Sequence, residues 1–74
     1  MITPQAVLAV LQQNPDGIEH PRLQRKFGIT DPHEQQQRAD VWKLSGVLAG
    51  LVRERFAATR NEAGRRVHYP RHTI

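Results

Sequence analysis

No cysteine occurs among the 74 residues. That excludes a disulfide framework, a thiolate metal site and a cysteine nucleophile, and it fits a reducing compartment. Aromatic residues are scarce, with one tryptophan, one tyrosine and two phenylalanines. No apolar run approaches the ~20 residues that a membrane span requires. The start, MITPQAVLAVLQQNP, has neither a basic n-region nor a small-residue cleavage site. No signal peptide is therefore expected, and the expected location is the cytoplasm. A glycine-rich phosphate loop is missing too. The four histidines have no carboxylate at a diagnostic spacing, and Pro70 between His68 and His72 forbids the helix that would align those two on a metal. Neither an enzyme nor a metal, cofactor or small-molecule site is expected. Residues 1–74 amount to one small domain, burying about 60% of the surface its unfolded chain would expose.

Charge is present and unevenly placed. The net charge is +4. Residues 1–52 balance at zero, so the whole excess lies in 53–74, which hold six arginines, no lysine, Glu54 and Glu62. Arginine without lysine suits planar, bidentate contact with phosphate or carboxylate. The plain alternative is a solvated basic tail.

Helix signals dominate the first two thirds. Thr3 is a suitable N-cap and Pro4 a suitable first helical residue, with Val7, Leu8, Val10 and Leu11 on one face, so a helix is expected over residues 4–13. NPDG, residues 14–17, reads as a turn, and Ile18 as a short extended anchor. In HPRLQRKFGI, residues 20–29, Leu23 and Phe27 face inward, Gly28 ends the helix in the left-handed conformation and Ile29 supplies the accompanying apolar contact. Asp31, Pro32 and Glu34 resemble a capping box. Val41, Leu44, Val47, Leu48, Leu51 and Val52 form one stripe, which predicts a helix over 40–54. Residues 30–39 are either a mobile loop or an exposed extension of that helix. The period then changes. Phe56, Ala58, Val67 and Tyr69 alternate toward one side, and NEAG, residues 61–64, supplies a turn in which Asn61 and Gly64 tolerate positive φ. Pro70 ends the hairpin, and 71–74 read as a frayed tail.

The expected fold class is α+β and mainly α. It is a three-helix cluster with a C-terminal β-hairpin, its core drawn from Val7, Val10, Leu11, Ile18, Leu23, Phe27, Ile29, Leu44, Leu48, Leu51, Phe56, Val67 and Tyr69. Over roughly Thr3 to Pro70 the chain resembles the winged helix-turn-helix family of bacterial and phage DNA-binding proteins. The residues that carry the resemblance are HPRLQRKFGI as second helix, VWKLSGVLAGLVRERFAATR as third helix running into a strand, and NEAG as wing tip. The resemblance implies that the third helix enters a major groove and that the wing touches the backbone or the minor groove. The family's second and third helices are joined by a few residues; here about a dozen, Ile29 to Asp40, fill that position.

On this reading Gln35, Gln36, Arg38, Trp42 and Lys43 form a recognition surface for double-stranded DNA, since Gln pairs bidentately with adenine and Arg with guanine. Arg60, Asn61, Arg65, Arg66 and His68 cluster around the hairpin turn for phosphate or minor-groove contact. Arg22, Arg25 and Lys26 could add backbone contacts. Trp42 stands on the polar face of its helix and has three readings: cover over the loop or second helix, a DNA contact, or a protein or homodimer interface with Gly46, Ala49 and Gly50. The expected function is sequence-specific duplex binding by a small transcriptional regulator or the DNA-binding part of a larger assembly. The alternative is a protein-interaction module that docks through Trp42 and the Gly46/Ala49/Gly50 face.

Overall fold

The structure is a computed structural model and describes residues 2–71. Helix α1 spans Pro4–Gln12, strand β1 Ile18–Glu19, helix α2 His20–Lys26, helix α3 Arg38–Arg53, strand β2 Ala57–Glu62 and strand β3 Arg65–Pro70. The antiparallel sheet has the order β1-β3-β2. The expected two-stranded hairpin is thus extended by a third strand, because Ile18 and Glu19 pair with His68 and Val67. The outcome is a small α+β domain of three helices and a three-stranded antiparallel sheet. No helix among the described residues is long and apolar enough to cross a membrane.

Helix ends follow local chemistry. The Thr3 hydroxyl accepts from the Ala6 amide at 3.1 Å, and Pro4 fills the first turn of α1. α2 stops at a Schellman motif: Ile29 N–H donates to the Gln24 carbonyl, Gly28 N–H donates to Arg25, and Gly28 sits at φ 81°. α3 ends the same way. Phe56 N–H donates to Leu51 and Arg55 N–H to Val52, but the left-handed residue is Arg55, at φ 66°.

That second motif corrects two expectations. It uses Phe56 to close the helix, so the strand starts one residue later and Ala57 faces inward in its place. Phe56 is 42% exposed. Val52, at the end of the α3 stripe, is 40% exposed. The capping box at Asp31 is not formed either. The Asp31 carboxylate accepts from His33 N–H in a local turn, residues 35–37 make one 3₁₀ turn, and α3 begins at Arg38. Helix therefore begins ahead of residue 40, with a 3₁₀ turn over 35–37 leading into α3, while residues 30–34 form a hydrogen-bonded turn before it. The Gln37 carbonyl oxygen accepts from the amides of Thr30 and Asp31 at 3.0 and 2.9 Å, and its amide donates to the Thr30 hydroxyl.

The hairpin turn has two residues, Ala63 at φ 51° and Gly64 at φ 78°. Positive φ at both central positions suits the twist of a tight hairpin. Asn61, expected at positive φ, is instead within β2. The tail begins later than expected as well. Arg71 N–H donates to the Phe56 carbonyl at 2.9 Å, and residues 72–74 lie outside the described residues.

One core joins the elements: Ile2, Val7 and Leu11 from the α1 region, Ile18, Leu23 and Ile29 around α2, Leu44, Leu48 and Leu51 from α3, and Ala57 from β2. Val10, Phe27, Val41 and Val47 pack at its margin. Directly paired residues share a sheet face. Ala57, Thr59, Asn61, Arg66, His68 and Ile18 therefore share one face. Ala58, Arg60, Glu62, Arg65, Val67, Tyr69 and Glu19 share the other. The core helices pack on the first, where Ile18 and Ala57 join the cluster and His68 lines a groove with α3.

Candidate nucleic-acid interface

Five expected residues lie along the start of α3. Gln35 and Gln36 are exposed in the 3₁₀ turn, Arg38 opens the helix, and Trp42 and Lys43 follow one turn on, both exposed. Trp42 is 77% exposed. It covers neither the 30–37 turn nor α2, which removes one of its three readings.

The hairpin residues do not form one cluster. Adjacent residues on a strand point to opposite faces, so Arg65 and Arg66 part company. On the outer face Arg65 pairs with Glu19 at 3.0 Å, the one ion pair among the described residues. The Arg60 guanidinium lies 5.6 Å from the Tyr69 ring centre. Tyr69 donates its hydroxyl to the Glu62 carboxylate at 2.6 Å, and that bond pushes the phenol's ionisation up. The outer face is a mixed, internally paired surface.

Arg66 turns toward α3. Between that helix and the sheet runs a groove of about 410 Å³, whose lining includes Ser45, Ala49 and Val52 from the helix, Thr59 from β2, and two arginines, Arg53 and Arg66. The helical period puts Arg53 on the polar face of α3. Only the sheet register brings Arg66 to the same groove, and nothing in the local sequence announces that register.

His68, expected at the hairpin surface, is 2% exposed and lines the floor of this groove, so it cannot reach a duplex. The one-residue shift of β2 and the pairing with Ile18 turned it inward. Its partners were not foreseen. His68 Nε2 lies 2.9 Å from His20 Nδ1, His68 Nδ1 lies 2.9 Å from the Thr59 hydroxyl, and His20 Nε2 lies 3.2 Å from the Gln24 amide nitrogen. One set of tautomers satisfies every contact. Gln24 donates to His20 Nε2, His20 Nδ1–H donates to His68 Nε2, and His68 Nδ1–H donates to Thr59. Both imidazoles are then neutral. Burial holds the His68 pKa down, to about 4, helped by His20 and Arg66. Burial, with Arg66 second, also lowers that of His20. The buried amide of Gln24 completes the chain. The sequence signal for it was slight: His20 and Gln24 stand four apart on α2, but His68 is 48 residues from His20.

Arg22, Arg25 and Lys26 are exposed on α2. No protein-family model, curated protein or solved structure matches this chain.

Proposed function

We propose that the chain is a winged-helix domain that binds double-stranded DNA as a small regulator or as the DNA-binding part of a larger assembly. The order of three helices before an antiparallel hairpin supports the winged-helix reading. The observation that carries the functional reading is the pair Arg53 and Arg66. They come from different elements, meet in one groove beside α3, and have no acidic partner among the described residues. Phosphates are the natural occupants of such a position, because guanidinium groups bind them through charge-assisted, bidentate hydrogen bonds. Gln35, Gln36, Arg38, Trp42 and Lys43 then face base edges from the 3₁₀ turn and the leading half of α3, with Asn61, on the same sheet face as Arg66, near the backbone. Such a role belongs to the cytoplasm, where bacterial and phage duplexes are found.

The test is titration of mixed-sequence duplex with the protein at several salt concentrations. Affinity should fall steeply as salt rises, through release of condensed counterions. No measurable binding at low salt would refute the reading. The large exposure of Trp42 favours a second reading, docking to protein through the face that it shares with Gly46 and Gly50.

A further inference from the structure

Trp42 and Phe56 are two large apolar side chains at the surface, and Phe56 lines an open apolar cleft. The cleft measures about 400 Å³ and is lined by Pro4, Gly46, Val47, Gly50, Glu54 and Phe56, among others. At Gly46 and Gly50 a Cβ would meet nothing within 4 Å, so the backbone of α3 is open to close approach there. Residues four apart on a helix form a ridge. On α3 that ridge reads Arg38, Trp42, Gly46, Gly50, with Glu54 at the C-cap.

We propose that the occupant of this cleft is a second copy of the chain, docked so that the two α3 helices run antiparallel about a two-fold axis at Gly46. In that register the ridge is complementary to itself. Reversal about Gly46 sets Trp42 of each copy opposite Gly50 of the other, at the mouth of the apolar cleft. It also sets Arg38 opposite Glu54. Each charged residue lies eight positions from the axis, about 12 Å along the helix. Both are exposed and neither has an ion-pair partner among the described residues. A two-fold interface must pair each patch with its own copy, and here one ridge supplies the knob, the hole and both signs of charge. A parallel arrangement would instead set Trp42 against Trp42 and Arg38 against Arg38. A buried tryptophan in a pocket is the usual anchor of a protein interface.

The pairing does not rest on the DNA reading. It covers Arg38 and Trp42, which that reading turns toward base edges, while Arg66 stands on the sheet, off the ridge. If both hold, the paired form is one in which α3 cannot enter a major groove.

Sedimentation equilibrium without nucleic acid tests the pairing. The wild type should show a reversible monomer–dimer equilibrium, and Trp42→Ala should weaken it by roughly tenfold or more. Arg38→Glu and Glu54→Arg should each weaken it, whereas the double reversal should restore it, because the opposed charges are only exchanged. All three substitutions are at exposed sites, and circular dichroism checks that each variant is folded. A wild type that stays monomeric at the highest concentration reached, a dimer indifferent to Trp42→Ala, or a double reversal no tighter than the single ones would each overturn the proposal. Duplex titration reads the DNA proposal separately, so either can fail without the other.

Discussion

Gly17 leaves no room for a side chain. A Cβ there would stand 2.6 Å from Tyr69 Cε1 and 2.7 Å from Val67 Cγ1, and φ is 103°. The close approach is what covers Val67, which faces away from the helices yet is only 8% exposed. Gly17→Ala meets backbone strain of about 1–2 kcal/mol and overpacking of about 1–3 kcal/mol. Urea denaturation should show a loss of roughly 2–5 kcal/mol, and an unchanged midpoint would mean that the turn relaxes freely. The histidine chain makes a different demand. Neutral imidazoles complete it, whereas a second proton on either ring sets donor against donor. Below the ordinary histidine value of 6.5 the unfolded chain takes up protons that His68 resists until about pH 4, and burial makes His20 resist them as well. Stability is therefore complete above pH 6.5, falls as pH drops through that window, and levels off below about pH 4 as far as His68 is concerned. Between pH 7 and pH 4.5 the loss from His68 should reach roughly 2–3 kcal/mol. Denaturation at pH 7 and pH 4.5, with NMR titration of the two rings, measures it; a His68 resonance that titrates near 6.5 would remove the basis for the loss.

Elements were legible where the local sequence alone decides them. Thr3-Pro4 starts α1, Gly28-Ile29 closes α2, and the stripe of Leu44, Leu48 and Leu51 buries α3, all as the residue types and their spacing require. The misplaced features depend on less common local choices. Arginine at a left-handed helix end and alanine in the turn are not the residues that propensity expects, so the start of β2 and the turn positions were shifted by one or two residues. With a side-chain period of two, such a shift reverses a strand's faces. That is why Phe56 moved out and His68 moved in. The candidate site was legible only in part for the same reason: α3 could be read from its period, but the meeting of Arg53 with Arg66 is tertiary. The 30–37 turn was undecided because its anchor is a polar side chain. Gln37→Ala removes the acceptor for two amides, Thr30 and Asp31. A net hydrogen bond is worth about 1 kcal/mol, so hydrogen exchange at those two amides should quicken by roughly fivefold while the core amides hold. Unaltered exchange would show that the turn is held by something other than Gln37.

At the scale of the whole molecule, the placement of charge matters more than its sum. The excess of arginine lies in residues 53–74, and the fold divides it. Arg65 goes to the outer face with Glu19, and Arg60 to the same face over Tyr69. Arg53 and Arg66 go to the groove beside α3. A phosphate at Arg65 has to compete with a carboxylate already 3.0 Å away, whereas the groove is lined by two arginines that form no ion pair among the described residues. The two sets of arginines should therefore differ in their effect on binding. Arg53→Ala with Arg66→Ala should lower the slope of log affinity against log salt by about 2 units, if each neutralises one phosphate. Arg65→Ala should alter that slope far less. Both changes are at exposed positions, where loss of an arginine has little effect on stability, so thermal melts should stay close to wild type. Base preference, if α3 carries it through Gln35, Gln36 and Lys43, should persist in the double variant while overall affinity falls. Equal effects from Arg65→Ala and from the groove pair would place the duplex on the outer face of the sheet, away from α3, and the groove would then have no part in binding DNA.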